Sequence, residues 1–151
     1  MHVAIVGAWP TGEDPPYLDD SVEIWTVGRL AGKLPRITRL YELHTEDVFR
    51  TYAKALVRTG LPVYFAWDLP LAEWRDRYGF IANTIAAMLC HAREEGAQVV
   101  DIYRSPLLGE PRNEQRESVA YWIGLLRGGG IEVNDRSNMI DWSIAYGAEN
   151  E

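Results

Sequence analysis

The sequence predicts an α/β fold: a single Rossmann-like domain with a mostly parallel sheet of about five or six strands flanked by helices. Short runs of β-branched and apolar residues recur along the chain, amphipathic helical segments separate the later runs, and glycine closes most of these units. Parallel strands need long crossovers, which such alternation supplies, and those crossovers are almost always right-handed.

Val3 to Ala8 reads as a buried first strand that meets Gly7 and then Trp9-Pro10-Thr11-Gly12. A Pro- and Asp-rich stretch, Glu13 to Asp20, leads to a second strand, Val22 to Val27, stopped by Gly28. Ile37 to His44 alternates apolar and polar residues as a third strand. Thr45 with Glu46 and Asp47 then resembles a helix cap. Val48, Phe49, Tyr52, Ala53 and Leu56 recur at helical spacing up to Arg58, with Gly60 as the stop and Leu61 to Trp67 as the fourth strand.

The segment Asp68 to Gly79 fits either a short helix or a ligand-covering loop. In the clearest helix, Ile81, Ile85, Met88, Leu89 and Ala92 form one face that ends at Gly96. Gln98 to Tyr103 is the fifth strand, and Asn113 to Arg127 a helix with Val119, Trp122, Ile123 and Leu126 on one stripe. Three glycines end it, and Ile131 to Asn134 forms a last short strand. The tail from Asp135 to Glu151 is expected to pack on the body or on a neighbouring subunit.

A chain of 151 residues can bury a core without disulfide or metal staples, so one domain spanning 1–151 is expected. The formal net charge of -7 repels polyanions and argues against nucleic-acid partners, although local arginines and backbone N–H groups could still hold a small anion. Cys90, the only cysteine, excludes an internal disulfide and any multi-cysteine metal site. Neither a metal nor a cofactor is expected. With no export signal and no bilayer-length apolar run in the sequence, a cytoplasmic protein without membrane attachment is expected. Base rates among soluble proteins favour a homo-oligomer, a dimer or higher.

In parallel sheets ligands bind beyond the carboxyl ends of the strands, where the strand order reverses. That rule gathers Gly7, Ala8, Trp9, Pro10 and Thr11, then Gly28 and Arg29, Glu42 and His44, Asp68, Tyr103, Arg104 and Ser105, and Asn134 with Asp135. Glycines, arginines, a histidine, hydroxyls and carboxylates together suit a nucleotide: phosphate on backbone and Arg, ribose on a carboxylate, base on an aromatic ring. Gln115 and Arg116, near Glu110 and Glu114, face the same mouth from the penultimate helix, where Arg116 could clamp a phosphate.

Each of these has a plainer reading. The first loop lacks the full G-x-G-x-x-G spacing, so Gly7 could serve only a tight turn with Trp9 packed on the sheet edge. His44 could be an acid or base, or a hydrogen-bonded strand-end histidine, because nothing near it in sequence completes a triad or metal set. His91 on the clear helix reads as structural, His2 as peripheral, and Trp122 as core. Trp67, Trp74 and Tyr78 mark a lid, an oligomer contact or core packing.

The segments FIANTIAAMLCHAREEGAQVVDIY and NEQRESVAYWIGLLRGGGIEV, with VAIVGAWP, EIWTVGRL and LYELH, resemble small phage and prophage proteins of unassigned role over most of the chain. In layout the chain is more distantly similar to bacterial sialyltransferases and flagellin-modification accessory factors, which bind cytidine-type nucleotide sugars at a glycine loop after strand one. That resemblance implies a first nucleotide loop at Gly7, Trp9, Pro10 and Thr11, a second at Gly28 and Arg29, and a third at Tyr103 to Pro106. This sequence departs from the family loop, which continues Gly-Pro-Ser: Trp9 precedes Pro10 and Thr11 follows it. Arg104 and Ser105 replace the acid expected after strand five, and the chain is too short for the lid that carries the sialyltransferase base.

The resulting expectation is a phage-type protein that binds a nucleotide or nucleotide-derived small molecule, sequestering a host immune signal. An alternative is an enzyme acting at a glycosidic bond of a nucleotide or nucleotide sugar, with Glu42, His44 or Glu114 as acid or base. A further alternative is a structural or interaction module presenting Trp67, Trp74 and Trp142.

Overall fold

The computed structural model describes residues 1–44, 53–105 and 113–138. Six strands, β1 His2–Val6, β2 Val22–Val27, β3 Arg39–Glu42, β4 Val63–Phe65, β5 Val99–Tyr103 and β6 Glu132–Asp135, form one sheet in the order β4-β3-β2-β1-β5-β6. Every pairing is parallel. The helices are α1, described over residues 53–58, α2 Leu71–Tyr78, α3 Thr84–Glu94 and α4 Asn113–Gly128. The chain is thus the α/β, Rossmann-like fold that its alternating pattern predicts.

Handedness explains how the two faces of the sheet are covered. From β1 to β4 the chain steps always in one direction, so right-handed crossovers put those connections on a single face. Ala4, Val6, Val22 and Ile24 point to that face, where Tyr17 and Leu34 from the loops pack on them, and Leu56 of α1 lies with Leu40 and Phe65. The steps from β4 to β5 and onward run the other way and therefore carry α2, α3 and α4 to the opposite face. There Val3, Ile5, Trp25 and Tyr41 meet Trp74, Met88, Leu89, Trp122 and Ile123.

The loop-covered face has no α-helix between β1 and β3, and its backbone carbonyls find another donor. Arg36 reaches across with Nε to Tyr17 O at 2.9 Å and with Nη2 to Asp19 O at 2.6 Å and Val22 O at 2.8 Å. One guanidinium thus satisfies three backbone acceptors, two in the loop and one at the start of β2.

The segment from Asp68 to Gly79 proves to be mainly α2. Trp74 is buried with its ring 5.6 Å from that of His91, so core packing accounts for it. Trp67 is exposed and stacks on Phe65 at 4.9 Å. The predicted helix cap at Thr45 to Asp47, together with Glu110 and most of the tail including Trp142, lies outside the described residues. Among the described residues no helix is long and apolar enough to cross a membrane.

Candidate functional site

The strand order reverses between β1 and β5, and there the two strand ends come into contact. A Cβ on Gly7 would lie 2.5 Å from the Arg104 carbonyl oxygen and 2.7 Å from Ser105 Cβ, so only glycine fits. The requirement is steric closeness to β5. The Gly7 N–H donates to Tyr103 O at 2.8 Å and the Trp9 N–H to Arg104 O at 3.0 Å, which zips the loop after β1 onto the end of β5.

Beside this contact lies a cavity of about 540 Å³. The strand ends supply Gly7, Ala8, Val27, Arg29, Glu42, Leu43, His44 and Ser105. The helical layer supplies Leu71, residues Ile81 to Ile85 at the entry to α3, and Gln115 in the first turn of α4. Asn83 fixes this entry: its Oδ1 caps the Ala86 N–H at 2.8 Å and its Nδ2 donates to Gln115 O at 3.1 Å.

The most chemically loaded feature of the wall is a carboxylate and imidazole pair. Glu42 ends β3 with 3% exposure, and its Oε1 lies 2.6 Å from His44 Nδ1 while also accepting the His44 N–H at 3.1 Å. The His44 side chain is 63% exposed. With Glu42 ionised, Nδ1 carries the proton toward the carboxylate and leaves Nε2 as an acceptor on the open side. The pair therefore has the hydrogen-bond arrangement of an oriented general base.

The set read from the sequence divides around this cavity. Gly7, Ala8, Arg29, Glu42, His44, Ser105 and Gln115 line it. Trp9, Pro10 and Thr11 are exposed outside the lining, and Gly28 is buried in a 3-10 turn behind Arg29. Tyr103 points to the loop-covered face among Ala4 and Val6, where burial pushes its hydroxyl up to about 12. Arg104 turns away because its backbone is left-handed, with φ 50°, and its guanidinium pairs with Asp14. Asp68 holds a turn, accepting the Phe65 N–H at 2.8 Å. Asn134 donates to Asp101 and Asp135 accepts from Ser137, both beyond the cavity wall. Arg116 is exposed outside the lining, and the Glu114 side chain lies outside the described residues.

Three further expectations meet the same test. His2, read as peripheral, bonds buried Asp101 at 2.7 Å. Trp122 is core, and its Nε1 donates to Phe80 O at 2.8 Å. His91 is structural: it is buried, with Nδ1 2.8 Å from the Tyr41 hydroxyl. Burial pushes the Cys90 thiol up to about 12, which leaves it unreactive as a nucleophile. Among the described residues no group of three or more His, Cys, Asp or Glu side chains could hold a metal ion.

The lining residues that sequence reasoning missed are Val27, Leu43, Leu71 and Ile81 to Ile85. Asn83 followed by Thr84, directly before an apolar helical stripe, is the signal that could have found the α3 entry. No family model, curated protein or solved structure matches the chain.

Proposed function

We propose that the chain binds a nucleotide or nucleotide-derived small molecule in the cavity at the carboxyl edge of its sheet. The observation that carries this reading is the position of that cavity at the reversal of strand order between β1 and β5, where parallel α/β sheets take their ligands. Its volume falls within the roughly 300–1,000 Å³ of small-molecule sites. Its wall mixes apolar Val27, Leu43, Leu71 and Ile81 with a cation, a carboxylate and hydroxyls, the groups needed for base, phosphate and ribose. The likeness to phage proteins gives such binding a purpose, the sequestration of a host signalling nucleotide in the cytoplasm.

Native mass spectrometry of the purified protein and a thermal-shift panel of nucleotides test it. A retained nucleotide mass, or a melting temperature that rises with nucleotide concentration, is the expected result. Absence of both refutes the reading.

A second reading, transfer or hydrolysis at a glycosidic bond, is favoured by the Glu42 and His44 pair. Product analysis after incubation separates the two: recovery of intact ligand supports sequestration, whereas turnover lost in His44→Ala with binding retained supports catalysis.

A further inference from the structure

We infer that the anionic group of the ligand, a phosphate or pyrophosphate, is received by the N-terminus of α3 and the Ser105 hydroxyl instead of the glycine loop after β1. The inference rests on the binding reading above and gives it a direction. The loop after β1 is a poor cradle because the Gly7 and Trp9 N–H groups are already donated to the end of β5. The anion must find its donors elsewhere on the wall.

The eleven-residue α3 offers them. The first N–H groups of a helix have no intrahelical acceptor, and their dipole favours negative charge. Asn83 Oδ1 takes the Ala86 N–H and the Asn83 carbonyl takes that of Ala87. Thr84 and Ile85, whose N–H groups have no partner among the described residues, line the cavity. A second, independent feature points to the same ligand. Ser105 is only 6% exposed and lines the cavity, yet its hydroxyl makes no hydrogen bond among the described residues, while its N–H is held by Ser137 Oγ at 2.8 Å. With its oxygen unpaired among the described residues at a cavity wall, Ser105 is free to donate to an acceptor that arrives from outside. Arg29, without an ion pair among the described residues, supplies the cation at the same cavity. Glu42 is engaged by His44, which leaves the opposite end of the ligand to that pair.

The direct test follows backbone amide resonances during titration with inorganic phosphate, pyrophosphate, a nucleotide panel and the matching nucleosides. Two variants accompany it. Thr84→Pro removes one proposed donor at a helix position where proline is well tolerated, after an Asn83 that is already extended at φ -155° and ψ 173°. Ser105→Ala removes the hydroxyl alone. The expected result is that pyrophosphate moves Thr84 and Ile85, and that each variant weakens pyrophosphate and nucleotide about tenfold with nucleoside binding unchanged. Pyrophosphate shifts confined to Ala8 and Trp9, or nucleotide affinity unchanged in both variants, overturn the subsite and leave the binding reading standing. Pyrophosphate captured at Thr84 and Ile85 with no nucleotide bound supports the subsite and overturns that reading.

Discussion

At the amino end of the sheet Arg39 is clamped between Glu23 at 2.9 Å and Glu95 at 2.7 Å, lies over the Trp25 ring at 4.6 Å, and shares Glu95 with His91 at 3.1 Å. At the carboxyl end Arg29 has no ion pair among the described residues, Ser105 keeps an open hydroxyl, and buried Glu42 holds an exposed imidazole. The residue types match, and the treatment differs. One end consumes its polar groups in holding strands to helix, and the other keeps them available beside a cavity. His91 and His44 show the contrast within one residue type: burial lowers the His91 pKa, because the uncharged ring suits the aromatic packing of Trp25, Tyr41 and Trp74.

The largest expected effect marks where the open end stops being open. Gly7→Ala drives a methyl into the Arg104 backbone and should cost about 3 kcal/mol in a urea titration, because the clash is with main chain that cannot yield easily. A cost near zero would show that β1 and β5 can separate. Next, Arg39→Ala strands Glu23 and Glu95, both only partly exposed, and should cost about 2 kcal/mol while leaving nucleotide affinity as in the parent protein. An equal loss of affinity would break the distinction between the two ends.

The pH dependence is a smaller effect. The folded chain resists protonating His91, so stability is full above its ordinary value of 6.5 and declines as pH falls below it, because the unfolded chain takes up the proton first. Hydrogen bonding from Arg39 lowers the Glu95 pKa, so stability falls again as pH drops below its ordinary value of 4.5. Urea midpoints at about pH 7.5 and about pH 5.5 should differ, and His91→Gln should flatten that first decline. The smallest change in stability belongs to His44→Ala, about 1 kcal/mol or less by the same titration, since the ring is mostly exposed. A larger loss would assign His44 to the fold and remove it from the candidate site.

The elements were legible because their signals are local. β-Branched runs such as Val22 to Val27 stop at glycine, and the stripe from Ile85 to Ala92 has helical period whichever way the chain later folds. Strand order is a property of long-range pairing, and nothing in β1 announces that its neighbours are β2 and β5. Arg104 illustrates what local reading cannot see: a residue placed directly after a strand turns from the cavity onto the loop that carries Asp14 once its backbone enters the left-handed region. Tyr103 lies on the strand itself, and side-chain alternation sends it to the loop-covered face. The α3 entry was missed for a related reason. Its apolar residues read as core alone, although a helix antiparallel to the strands must also deliver its first turn to their carboxyl ends.

That antiparallel course gives α3 a double attachment. Its eleven residues extend about 16 Å, from the mouth where Thr84 waits to the clamp that grips Glu95 just past its last turn. Whatever steadies the first turn therefore slows fraying at the last, and amide exchange near Glu95 becomes a remote gauge of occupancy at the opposite end of the domain.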